Sequence, residues 1–123
     1  MTTRSDSNEG EPTPGTAAED LAACFLSQQG LRIIARNYRC RFGEIDLIAK
    51  DADAVVFVEV RMRRSSAFGG AIGSIDRHKQ KKLTLTARHY LSRLATEPRC
   101  RFDAVLLDTL DAGRIEWLRD IIS

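Results

Sequence analysis

The chain has 123 residues, 43% of them hydrophobic, and a formal net charge of +2. That length fits one domain with a single modest core, and no apolar run reaches the length a bilayer-crossing helix needs. Three cysteines, Cys24, Cys40 and Cys100, lack metal-ligand spacing and with only two histidines argue against a zinc site; they predict free thiols in a reducing cytoplasm.

Residues 1–15, MTTRSDSNEGEPTPG, are polar and rich in Ser, Thr, Gly and Pro, without the apolar stretch of a secretory signal. The composition predicts a disordered tail followed by one domain over 16–123. A first helix is expected from Thr16 to Gln29, with Ala18, Leu21, Ala22, Phe25 and Leu26 at helical spacing. Thr16-x-x-Glu19 reads as a capping box and Gly30 as the stop. Strands are expected over 31–38 (LRIIARNY), 43–50 (GEIDLIAK) and 54–62 (AVVFVEVRM). The short link Asp51-Ala52-Asp53 makes a hairpin of the last two. Residues 65–74 form a glycine-rich loop. A long helix follows over 76–95, with Leu83, Ala87, Tyr90, Leu91 and Leu94 on its apolar stripe. A fourth strand is read over 101–108 (RFDAVLLD), a turn near Asp111-Ala112-Gly113, and a fifth strand over 114–118 (RIEWL). The helix between the third and fourth strands predicts that those two run parallel, with a right-handed crossover. The fold class is therefore α/β, a mixed central sheet flanked by helices.

Charge is distributed unevenly. The tail carries Arg4 against Asp6, Glu9 and Glu11, a net −2, which leaves about +4 for the rest. Basic residues cluster in RNYRCR (36–41), RMRR (61–64) and RHKQKK (77–82). Each cluster alone reads equally well as a solvated face; three in so short a chain point to a polyanion such as a nucleic-acid backbone.

The hairpin holds the chemistry. Glu59 stands between Val58 and Val60 in an otherwise apolar strand, and such a residue is almost never buried without a partner. Side chains alternate along a strand, so Glu59 shares a face with Arg61, and Glu44 with Asp46 and Lys50. A two- or four-residue link sets Asp46 opposite Glu59 and Glu44 opposite Arg61, with Cβ atoms about 5 Å apart. Two facing carboxylates repel unless a cation lies between them, and magnesium or manganese would resolve the conflict. The plainer alternative is a cross-strand Glu44–Arg61 ion pair, with Asp46 capping a turn or binding an arginine. On spacing alone Glu19 is a cap residue.

These motifs, AAEDLAACFLSQQGLRIIARNYRCRFGEIDLIAKD, VVFVEVRMR, FGGA, HKQKKL, ARHYL and RFDAVLL, resemble the YraN-type family of uncharacterised bacterial proteins over residues 16–108. That family is similar to archaeal Holliday junction resolvases and to the restriction-endonuclease-like superfamily. The resemblance implies an αβββαβ core with an extra C-terminal strand here. It also implies a magnesium or manganese site at Glu19, Asp46 and Glu59, with catalysis shared by Asp46, Glu59 and position 61. Position 61 is Arg61, where the family pattern has lysine.

Lysine can lose its proton when buried, whereas arginine stays charged and grips phosphate with two hydrogen bonds. Arg61 therefore suits either a metal-only nuclease or a site that binds without cutting. Lys79 is the better candidate than Lys50 to replace the missing lysine. The nucleic-acid contacts expected are Arg61, Arg63, Arg64, Lys79, Lys81 and Lys82. Three functions follow from these readings: a metal-dependent nuclease for branched DNA, a nucleic-acid-binding protein with a weakened site, or a protein-interaction module. A homodimer is compatible with the resemblance. Trp117, Leu118, Ile121 and Ile122 are read as core or edge packing rather than as a dimer surface.

Overall fold

The computed structural model describes residues 14–62, 76–108 and 115–122. The 65–74 loop, the turn at 111–113, and Arg63 and Arg64 lie outside the described residues. Helix α1 spans Pro14–Gln28. It opens two residues inside the expected tail, on a proline whose missing N–H costs nothing at a first helical position. Thr16 is consequently inside the helix rather than at its N-cap, the position the capping-box reading gave it. The helix ends as expected at Gly30, where φ is 96°. The amide of Leu31 reaches the carbonyl of Leu26 and that of Gly30 the carbonyl of Ser27, a Schellman closure.

Three strands follow: β1 (Arg32–Cys40), β2 (Gly43–Asp51) and β3 (Ala54–Met62). Helix α2 spans Arg77–Leu91, and β4 (Cys100–Leu107) and β5 (Ile115–Leu118) complete the chain. The five strands lie side by side in sequence order. The first three are antiparallel, β3 and β4 run parallel as expected, and β5 returns antiparallel. The α2 boundary is shorter than the periodicity suggested. Asp76 caps its start by accepting from the Lys79 amide, and Ser92 closes its end. Leu94, expected on the apolar stripe, lies beyond the helix and is exposed.

Each face of the sheet carries one helix. Ala18, Ala22 and Leu26 of α1, spaced by four, pack on Leu47, Ala49, Val56, Val58, Val105 and Leu107. Leu83 and Ala87 of α2 pack on Ile48, Val55, Phe57, Ala104 and Leu106. Trp117 meets Phe25 edge to face, and Leu118, Ile121 and Ile122 join the α2 side. The C-terminal apolar residues thus pack within the fold, as read. A bulge at Ile34 breaks the β1–β2 register and turns that side chain to solvent on an edge strand, where bulges also deter edge-to-edge pairing.

Asp103 is a buried carboxylate that the sequence reading did not single out. Its side chain is fully covered, yet it accepts from the Arg101 guanidinium, Trp117 Nε1 at 2.9 Å and the Asp120 amide at 2.9 Å. Arg101 also donates to Asp51 at 3.0 Å. The network ties the hairpin end, β4 and the C-terminal segment together.

Candidate functional site

The β2–β3 hairpin has a two-residue link, one of the two lengths that direct Asp46 towards Glu59. Ala52 takes the left-handed conformation, with φ at 54°, and the pairing runs from Asp51↔Ala54 to Leu47↔Val58. The ladder stops one step short of Asp46 and Glu59. At that step the alternation of β2 also breaks. Leu47 and Ala49 pack on the α1 side, but Ile45, which strict alternation would send with them, packs on the α2 side. The strands separate here, and the Val60 amide donates to Asp46 Oδ2 at 2.9 Å. A side chain thus replaces a ladder carbonyl where the sheet opens, keeping a half-buried amide paired.

The opening is a cleft of about 530 Å³ between the two helices, lined by Glu19, Glu44, Asp46, Glu59, Arg61, Lys79 and Lys82 among others. All three expected metal ligands, Arg61 and two of the expected lysines therefore share one cavity. Lys81 is an exposed residue of α2 outside that lining, and Lys50 lies towards the far end of the hairpin.

Asp46 and Glu59 are within hydrogen-bonding reach of each other. Burial, and then the Glu59 charge, push the Asp46 carboxyl up to about 7, against the opposing bond from Val60. Burial also raises Glu59, while Arg61 and Lys79 pull it back. Glu59 is 11% exposed and holds the Arg61 guanidinium at 2.6 Å. The Arg61 Nε is buried with no hydrogen-bond partner. Glu19 is raised by burial and by the Asp46 charge, with Asn37 hydrogen-bonding it in opposition. Asn37 itself sits in β1 at φ 52°, a conformation asparagine tolerates.

The expected pairing of Glu44 with Arg61 does not form. Glu44 instead holds Arg39 of the neighbouring strand at 3.1 Å, which the β1–β2 register places directly opposite. Arg36 likewise binds Asp20 at 2.5 Å. Two of the three arginines in the 36–41 cluster are thus neutralised within the chain. Among the described residues no three Asp, Glu, His or Cys side chains converge tightly enough to enclose a metal ion. Asp46 and Glu59 form a pair, with Glu19 nearby in the same cleft. Cys24, Cys40 and Cys100 are free, as read.

The profile of the uncharacterised protein family UPF0102 matches residues 18–107, a span that contains the whole cleft lining. The chain is 57% identical over 109 residues to a UPF0102 protein of Methylobacillus flagellatus, covering 89% of this chain and 96% of that one. It is 56% identical over 106 residues to a UPF0102 protein of Nitrosomonas europaea, covering 86% and 90%. A third relative, from Nitrosospira multiformis, is 55% identical over 106 residues, covering 86% and 89%. On this match and these identities, the chain belongs to the UPF0102 family.

Proposed function

We propose that the cleft takes the phosphate backbone of DNA, with a divalent cation, as a nuclease-like site on a restriction-endonuclease-like core. The observation that carries this reading is the half-buried Asp46–Glu59 pair facing an open cavity lined by Arg61, Lys79 and Lys82. Two carboxyls pressed together out of water are a liability for folding, and a cation removes it. Magnesium characteristically takes one or two protein carboxylates and completes its shell with water and substrate phosphate. The donor set therefore fits magnesium or manganese, held by Asp46 and Glu59, with Glu19 lining the same cleft. When bound, such an ion supplies an acidified water and neutralises phosphate charge.

The chain's own residues do the rest. Arg61 has a guanidinium whose terminal nitrogens can turn to a phosphate once they leave Glu59, while its Nε stays buried. It cannot accept a proton from water. Lys79 and Lys82 contribute positive charge from α2 across the cleft. A second reading, binding without cleavage, is favoured by the Arg61–Glu59 contact itself. There the guanidinium occupies the carboxylate that a metal would need.

Labelled four-way-junction, flap and duplex DNA, incubated in magnesium, manganese or EDTA, separates the two. Metal-dependent cleavage that disappears in Glu59→Ala establishes the nuclease. Cleavage by Arg61→Lys alone establishes the binding protein. No salt-sensitive DNA retention by any of the proteins would overturn both.

A further inference from the structure

The tip of the β1–β2 hairpin is an unusual place for the residues it holds. Cys40 pairs with Gly43, so the turn consists of Arg41 and Phe42. Two-residue hairpin turns favour asparagine, aspartate or glycine because they demand left-handed backbone. Here Gly43, at φ 151°, accommodates the unusual backbone after the turn, and the tip itself is given to a cation and an aromatic ring. A Cβ at Gly43 would stand 3.2 Å from Thr86 Oγ1 and 3.8 Å from Lys82 Cβ. The tip is thereby seated on α2.

Phe42 lies against His89, with centroids 6.4 Å apart, and carries the Arg41 guanidinium at 4.9 Å over its face. Tyr38, on the strand leading to the tip, bonds His89 Nδ1 at 2.5 Å and has Arg93 at 5.6 Å over its ring. Phe42 and Tyr38 are half-exposed, and Arg41, His89 and Arg93 are exposed. Gly43 and Lys82 line the cleft, so this aromatic and basic surface begins where the cleft ends. Along α2 and the turn after it, Lys79, Lys82, His89 and Arg93 fall on one helical side, with the buried Thr86 beneath Gly43 between them.

We propose that this surface binds an unpaired segment of the DNA that enters the cleft, with Phe42 as the ring on which a base stacks. The proposal rests on the nucleic-acid reading of the cleft and adds the class of substrate: a duplex with a single-stranded arm. Aromatic rings beside backbone-binding cations are how single strands are held without sequence preference. Arg41 and Arg93 cover the rings with groups that can turn to phosphates as bases replace them, and their charge complements the strand.

Fluorescence anisotropy with splayed-arm DNA, the corresponding blunt duplex and an RNA-armed version tests this. The arm carries 2-aminopurine beside the junction, whose quenching reports stacking. Phe42→Leu keeps an apolar side chain at the tip and should weaken splayed-arm binding roughly tenfold, abolish the quenching and leave duplex binding unchanged. A Lys79→Ala/Lys82→Ala variant should weaken both. Equal loss on duplex and splayed-arm DNA in Phe42→Leu, or no loss on either, would overturn the stacking role while the lysine variant still reports the cleft reading. Tighter binding of the RNA arm would overturn the assignment to DNA. Failure of the wild-type chain to bind any of the three would overturn both readings.

Discussion

Replacing Asp46 with asparagine removes one of two carboxyls held together where the sheet opens. Asparagine keeps the size, and its carbonyl can still accept from the Val60 amide. In the metal-free protein the Asp46 carboxyl is pushed up to about 7 from an ordinary 3.8. Each tenfold displacement of a proton equilibrium is about 1.4 kcal/mol, so the charged form is disfavoured by about 4 kcal/mol relative to the unfolded chain. Glu59 competes for the same proton, and assigning half of the effect to Asp46 leaves about 2 kcal/mol. The sign follows from the raised value. The stability this group contributes is complete below the unfolded value and is lost as pH rises through about 7. Asparagine does not lose it. In urea unfolding followed by circular dichroism in EDTA, Asp46→Asn should therefore be more stable than wild type by about 2 to 4 kcal/mol near pH 8. The gap should shrink below about 1 kcal/mol near pH 4.5. Millimolar magnesium should raise the wild type near pH 8 and leave the variant unmoved, narrowing the gap. An Asp46→Asn protein no more stable than wild type near pH 8 in EDTA would refute the claim that the two carboxyls are held together at a cost.

Asp103→Ala should cost about 2 to 5 kcal/mol in thermal unfolding, because it leaves Trp117 Nε1 and the Asp120 amide without an acceptor and Arg101 with Asp51 alone. Trp117, losing its acceptor, should shift its fluorescence in the same variant. Gly43→Ala meets Thr86 at 3.2 Å in a backbone conformation that side chains rarely adopt, and should cost about 1 to 3 kcal/mol. Adding Thr86→Ala should recover the steric part alone, read by the same urea titration. Lys79→Ala/Lys82→Ala should lower the slope of log affinity for duplex DNA against log salt by about 1 to 2, measured by anisotropy across a salt series.

How far the sequence foretold the cleft depends on the range of each interaction. The β2–β3 register was legible only as a condition on the link: two or four residues give it, three do not, and the two-residue link found sets Leu47 opposite Val58. The partner of Glu44 was not. It depends on the β1–β2 register near the tip, which the two-residue turn at Arg41-Phe42 sets and which no residue preference in that turn announces. Thr16 failed as a cap because Pro14 could start the helix earlier, and Leu94 failed as core because Ser92 ended α2. The stacking tip was in plain view as Arg41-Phe42 between two predicted strands, but its meaning required knowing that the turn had only two residues.

Asp103 and Glu59 make the harder comparison, since each is a carboxylate within an apolar strand and the sequence cue is the same. What separates them is the supply of donors. Asp103 is enclosed by Arg101, Trp117 and the Asp120 amide, the last two brought by the chain beyond β4. Every oxygen is satisfied, and the group is a strut. Glu59 faces a second carboxyl, one arginine that also borders open space, and a cavity large enough for a phosphate and its water. Its environment disfavours the charge instead of consuming it. A buried carboxylate whose partners fill it holds a fold together. One left short of partners beside a cleft is the arrangement that a cation from outside would complete, and the urea titration of Asp46→Asn with and without magnesium distinguishes the two.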